Sequence, residues 1–171
     1  TAPNIVPFFY DRTNEYCIVP YSKEDIKNPV KEEELLLTNK ELYLYLSKHI
    51  ELIDSQSAKS KMMHRGKEFY ALSKIGSYTF APYIVAARDN SKFCATVVKP
   101  SITDWKEEKH TICVKHTIII SQKKDGSFIS EDEAHYICGI LNSDIVKSYI
   151  ENTFKSNGYS LNKSNLNLPE Y

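Results

Sequence analysis

Tyr83-Ile84-Val85-Ala86-Ala87-Arg88-Asp89-Asn90-Ser91-Lys92-Phe93-Cys94-Ala95-Thr96-Val97-Val98 is the stretch on which the fold turns. Tyr83, Val85 and Ala87 alternate with Ile84, Ala86 and Arg88, and Phe93, Ala95 and Val97 alternate with Cys94, Thr96 and Val98. Successive strand side chains point to opposite faces, so each run reads as a strand. Asp89-Asn90-Ser91 between them is turn-forming, which predicts an antiparallel hairpin.

Downstream, Thr111–Ile120 carries Ile112, Val114, His116, Ile118 and Ile120 on one face and Cys113, Lys115, Thr117 and Ile119 on the other, a further strand lying on a core. Lys124-Asp125-Gly126 reads as a turn. Ser130-Glu131-Asp132-Glu133 has the capping-box form, and Ala134, Ile137, Cys138 and Leu141 make the apolar face of the helix it opens. Asn142-Ser143-Asp144 stops that helix and caps the next, whose face is Val146, Tyr149, Ile150 and Phe154. Asn157 to Asn165 reads as a loop.

Upstream, Tyr16–Tyr21 predicts a short strand ended by Pro20, and Asn28-Pro29 a turn. A long helix is expected from Thr38 or Asn39 through Leu42, Leu46, Ile50 and Ile53. The class is therefore α+β: a mixed, largely antiparallel sheet, a packed helix pair near the C-terminus and one long N-terminal helix. Residues 1–37 read as a lead-in with a short strand, and 38–171 as the main domain.

The 171 residues suit one such domain with an extension. The start, Thr1-Ala2-Pro3, and the abrupt Pro169-Glu170-Tyr171 suggest a fragment of a longer protein. Mean hydropathy is negative, no run reaches the length of a membrane span, and the start does not resemble a signal peptide. Cys17, Cys94, Cys113 and Cys138 form no CxxC pair and read as reduced thiols of a cytoplasmic protein. The 22 basic and 22 acidic residues cancel. Neutrality runs against nucleic-acid binding, which favours a basic excess. It hides a bias, however: Lys59, Lys61, Arg65, Lys67 and Lys74 face a single acid, Glu68, between positions 59 and 74.

No catalytic constellation emerges. His110 and His116 on one strand would stand ~20 Å apart, too far for one ion. Asp104-Trp105-Lys106-Glu107-Glu108-Lys109 holds a Glu-x-Lys like part of a nuclease metal site, but a contiguous charged run reads better as a solvated loop. His135 lies beside Asp132 and Glu133, whose carboxylates capping already explains. Glycine-rich phosphate loops and GxSxG are absent. What remains is a polar, aromatic and basic set: Arg65, Lys67, Lys74, Tyr78, Arg88, Asn157, Tyr159, Asn162 and Lys163. Arg and Lys hold phosphates or read guanine, Asn reads adenine, and Tyr donates to phosphate or packs on sugar.

One stretch resembles a known family. Phe69-Tyr70, then Tyr78-Thr79-Phe80-Ala81-Pro82-Tyr83-Ile84-Val85-Ala86-Ala87-Arg88, is similar to a motif of the TaqI-like C-terminal specificity domain of adenine DNA methyltransferases and fused type II restriction-modification enzymes. Glu133-Ala134-His135-Tyr136-Ile137-Cys138-Gly139-Ile140-Leu141-Asn142-Ser143 resembles that family's next helix. Ile84 and Ala87 depart from the family's usual Lys and Trp. The resemblance implies a bacterial, cytoplasmic target-recognition domain that reads double-stranded DNA while a partner domain flips and methylates adenine. It implies no catalysis in this chain. S-adenosylmethionine would belong to the methylase domain of the parent chain, expected upstream of Thr1. The alternative is a protein-interaction or scaffold domain of a multi-subunit assembly, and a third reading is a small nuclease using Asp104–Lys109.

Overall fold

The computed structural model describes residues 4–11, 13, 15–55, 67–73, 75–88, 93–113 and 117–154. Two compact units divide the chain, one formed by residues 1–14 with 78–171 and the other by residues 15–77. The class is α+β, with antiparallel strand pairing throughout the described residues.

In the first unit, β3 (Ile84–Arg88) is the central strand of a three-stranded sheet. β4 (Ala95–Val98) and β7 (Thr117–Ile120) flank it, with Val85 opposite both Val97 and Ile120. The hairpin expected from Tyr83–Val98 therefore forms. The strand expected over Thr111–Ile120 is shorter: residues 111–113 are not in a strand, and Thr111 instead donates its hydroxyl to the Lys99 carbonyl at 3.1 Å.

Both sheet faces are covered, which explains why the central strand has apolar residues at successive positions. Val85, Ala87 and Ala95 pack with Ile118 and Ile120 against Ala134, Cys138 and Leu141 of α4 (Glu131–Leu141). Ile84, Ala86, Cys94 and Val98 pack with Ile119 against Ile5 and Ala81 on the other side. Ile5 arrives on a small hairpin, β1 (Ile5–Val6) paired with β2 (Phe9–Tyr10). Each fully buried branched side chain here stabilises the fold by roughly 2 kcal/mol.

The predicted capping box opens α4: the Ser130 hydroxyl accepts from the Glu133 N–H and the Glu133 carboxylate accepts from the Ser130 N–H. α5 (Asp144–Phe154) follows and packs on α4, burying Ile150. The turn at Lys124-Asp125-Gly126 is also present, with Gly126 at φ +87°, where a side chain would be strained. A second small hairpin, β5 (Ser101–Ile102) with β6 (Glu108–Lys109), stands apart from the main sheet.

The unit of residues 15–77 is helical, and two expectations need correction there. An unexpected short helix, α1 (Glu32–Thr38), comes first, and the long helix expected from Thr38 or Asn39 is instead two short ones, α2 (Lys40–Lys48) and α3 (Ile50–Asp54), broken at His49. Asn39, at φ −152°, is the N-cap of α2, one of the two caps expected, and separates that helix from α1. Its N–H bonds Leu35 and its side chain accepts from the Leu42 N–H, so one residue ends a helix and caps the next. Tyr16–Tyr21 forms no strand. No strand pairs with it among the described residues, and its backbone bonds go to turns, with the Val30 N–H donating to Pro20.

The core of this unit is small: Leu35, Leu46 and Tyr70, with Val30, Leu42, Ile53 and Phe69 around them. Tyrosine hydroxyls supplement it. Tyr21 accepts from the Leu72 N–H at 2.9 Å and donates to the Leu72 carbonyl at 3.2 Å. Tyr70 donates to the Val30 carbonyl at 2.7 Å, and Tyr43 to the Glu32 carboxylate.

Candidate nucleic-acid interface

The residues singled out from sequence fall in three groups. Tyr78 and Arg88 belong to the unit of the sheet, and Lys67 to the helical unit. Arg65, Lys74, Asn157, Tyr159, Asn162 and Lys163 lie outside the described residues.

Arg88 ends the central strand, and its N–H donates to the Cys94 carbonyl at 3.0 Å. Its Nε is buried without a hydrogen-bond partner among the described residues. The guanidinium draws the Cys94 thiol pKa down, but burial outweighs it and leaves the thiol above its ordinary value. Arg88 is half-buried at the strand end, and Thr96, two residues from Cys94 on the same sheet face, is buried with a hydroxyl that has no partner among the described residues. Tyr78 sits half-buried in the 3-10 turn Ser77–Phe80, and burial pushes its pKa up. Lys67 is exposed and donates its ammonium to the Lys27 carbonyl. A tethered ammonium keeps its charge but loses part of its reach.

The remaining basic residues are unevenly placed in the sequence. Segments 56–66, 89–92, 114–116 and 155–171 hold Lys59, Lys61, Arg65, Lys92, Lys115, Lys155 and Lys163 against only Asp89 and Glu170. Overall neutrality therefore hides a basic excess in these stretches.

The charged run Asp104–Lys109 is an exposed turn rather than a gathered site. Thr103 ties it: its N–H and hydroxyl both donate to the Glu107 carbonyl, and its own carbonyl accepts from the Lys106 N–H. The Trp105 indole N–H donates to the Glu107 carboxylate at 3.1 Å, and Lys109 pairs with that carboxylate at 2.8 Å. The Lys109 contact, then the indole, holds Glu107 below its ordinary pKa. An acid already bonded twice is poorly placed for catalysis. No group of three or more metal-ligating side chains occurs among the described residues. His110 and His135 are exposed, and His116 lies outside the described residues. The four cysteines are free thiols; Cys113 is pushed up to about 11 by burial, which keeps it protonated and unreactive.

Two surface features escaped the sequence reading. One is the tip of the β1–β2 hairpin, where Phe8 and Phe9 are 66% and 59% exposed beside exposed Val6 and Pro7. The sequence signal was an unbroken apolar run, Ile5-Val6-Pro7-Phe8-Phe9, without a helical or strand period. The other is the bond to Glu107 that holds the Trp105 ring half-exposed.

No family model, curated protein or solved structure matches the chain. Among the described residues, no helix is long and apolar enough to cross a membrane.

Proposed function

We propose that the chain is a target-recognition domain that reads double-stranded DNA for an adenine methyltransferase or fused type II restriction-modification enzyme of bacterial, cytoplasmic origin. The observation that carries this reading is where the family-like segments fall. Tyr78–Arg88 supplies the central strand, Glu133–Ser143 supplies α4, and they meet in one buried core. The likeness thus lies in residues that build a scaffold, and contact with nucleic acid falls to polar and basic residues outside that core, such as Arg88 at the strand end. Arg88 at the strand end and the Lys- and Arg-rich segments supply phosphate contacts, and asparagines such as Asn157 and Asn162 supply groups that read adenine edges.

The chain itself makes no bonds. S-adenosylmethionine and the reacting adenine belong to a methylase domain of the same parent chain, which is the domain's protein partner. Fluorescence anisotropy with a labelled duplex tests the reading. Binding should weaken steeply as salt rises, with the log–log slope of a polycation releasing several counterions. A slope near zero would contradict it.

A second reading, a protein-interaction module, is favoured by one observation: Leu37 and Leu52 in the helical unit are 87% and 72% exposed. Salt-insensitive association with a protein and no DNA binding would support it.

A further inference from the structure

The two outer strands of the main sheet present different edges. The Arg88 N–H donates to the Cys94 carbonyl, so Arg88, Ala86 and Ile84 turn their backbone groups toward β4, and Val85 and Ala87 turn theirs toward β7. In β7, Ile118 and Ile120 therefore bond Ala87 and Val85, while Thr117 and Ile119 direct their N–H and C=O away from the sheet. On β4 the outward residue Ala95 is closed off: Asn142 bonds both of its backbone groups, and the Phe8 N–H donates to the same carbonyl. Just past β7 the Ser121 carbonyl accepts from the Ile129 N–H at 3.1 Å. No hydrogen bond reaches the outward groups of Thr117 and Ile119 among the described residues. The usual obstacles to further pairing are missing too: Thr117-Ile118-Ile119-Ile120 holds no charge, no proline and no bulge. All four side chains are β-branched and half-buried.

We propose that β7 is a dimerisation edge, on which a second copy of this chain lays its own β7 in antiparallel pairing. The backbone groups say what covers them, because donors and acceptors spaced along an extended strand are matched by another extended strand. The same spacing makes the edge complementary to itself. About a twofold axis at Ile118, Thr117 of one copy lies opposite Ile119 of the other, and each exchanges both backbone bonds with its counterpart. A register centred on Ile119 would instead set Thr117 against Ser121, whose carbonyl Ile129 already holds. Across the axis Ile118 meets Ile118 on one face of the sheet, and Thr117 meets Ile119 on the other, so both faces carry β-branched pairs. The result is one antiparallel sheet in the order β4-β3-β7-β7-β3-β4. This dimer goes beyond the DNA-recognition reading and does not depend on it.

Sedimentation of the full chain over a dilution series tests it, with thermal melting as the measure of folding. The parent should pass from dimer to monomer on dilution. Thr117→Pro removes an outward N–H at the first residue of an edge strand, where proline is tolerated, so it should melt close to the parent. It should weaken dimerisation by about tenfold or more, because the bond is lost twice across the axis. If Thr117→Pro melts well below the parent, cross-linking decides instead. Ile118→Cys in a Cys17→Ser background, which removes the exposed native thiol, should give a disulfide-linked dimer on mild oxidation, since the facing Cα atoms stand ~4.5 Å apart. A parent that sediments as a monomer at every concentration overturns the dimer. So does a folded Thr117→Pro that dimerises as tightly as the parent, or an Ile118→Cys chain that fails to cross-link. Duplex binding by a monomeric parent would remove the dimer and leave the recognition reading standing.

Discussion

The two units of this chain close themselves by different means. The sheet unit buries apolar side chains on both faces of β3, then finishes its edge with a carboxamide. The helical unit has few buried side chains and ties loops to helices with tyrosine hydroxyls. The Asn142 carboxamide shows how the edge is finished. The Ala95 N–H donates to Asn142 Oδ1 at 3.0 Å, and Asn142 Nδ2 donates to the Ala95 carbonyl at 2.8 Å and to the Cys138 carbonyl at 3.0 Å. A side chain thus pairs with the outer edge of β4 as a strand would, 47 residues away in sequence. The difference teaches that a large core can concentrate its polar closure in one buried residue, while a small core spreads it over several half-buried ones.

Removing that single residue should have the largest effect. Asn142→Leu leaves the Ala95 N–H without a partner, at a cost of about 1–3 kcal/mol, while the Ala95 and Cys138 carbonyls lose one of two donors and keep the backbone N–H of Phe8 and of residue 142. The sheet unit should lose about 2–3 kcal/mol, read as a fall in the unfolding midpoint of Trp105, the chain's one tryptophan. An unchanged midpoint would mean that the carboxamide is dispensable. Tyr21→Phe should cost less, about 1–2 kcal/mol, because only the Leu72 pair is lost. Faster amide exchange at Leu72 would report it, and exchange at the parent rate would count against the tyrosine closure. Ser130→Ala removes half of the capping box and should cost about 1 kcal/mol in a urea titration.

Two pH effects sharpen the contrast further. Tyr70 is pushed up to about 12, first by burial and then by the charge of Glu68. Its unfolded phenol ionises at 10.0 while the folded one resists, so its contribution is complete below pH 10.0 and is lost as pH rises toward about 12. Alkaline titration by tyrosine absorbance should show a late-titrating phenol that Tyr70→Phe removes. The smallest effect lies at acid pH. Lys123, then the Ser130 N–H, holds Glu133 below 4.5, so its contribution is present above that value and lost as pH falls through the lowered one. Glu133→Gln should flatten that part of the acid unfolding curve.

Elements set by local pattern were legible in the sequence. Alternation gave the β3–β4 hairpin, and Ser130 with Glu133 gave the start of α4. Elements set by distant partners were not. Tyr16–Tyr21 has the composition of a strand but finds none to pair with among the described residues. Asn142 reads as a helix stop, which it is, but nothing local announces its bonds to Ala95. Asn39 is a good cap by type, yet the α1 ending before it depends on the same residue serving two helices. At the candidate interface, Arg88 was legible as a strand-end cation. Phe8, at φ +63°, was not, because a positive φ normally signals itself through glycine or asparagine. The Trp105 turn was read correctly as exposed, but its bond to Glu107 required the geometry.

The central claim is that this chain selects a base sequence. Repeated rounds of binding to a randomised duplex pool, followed by sequencing, test it most directly. The account predicts enrichment of one short motif, with each mismatched base pair costing about 1–3 kcal/mol in binding. Recovery of a pool as random as the one supplied, or no recovery at low salt, would contradict it.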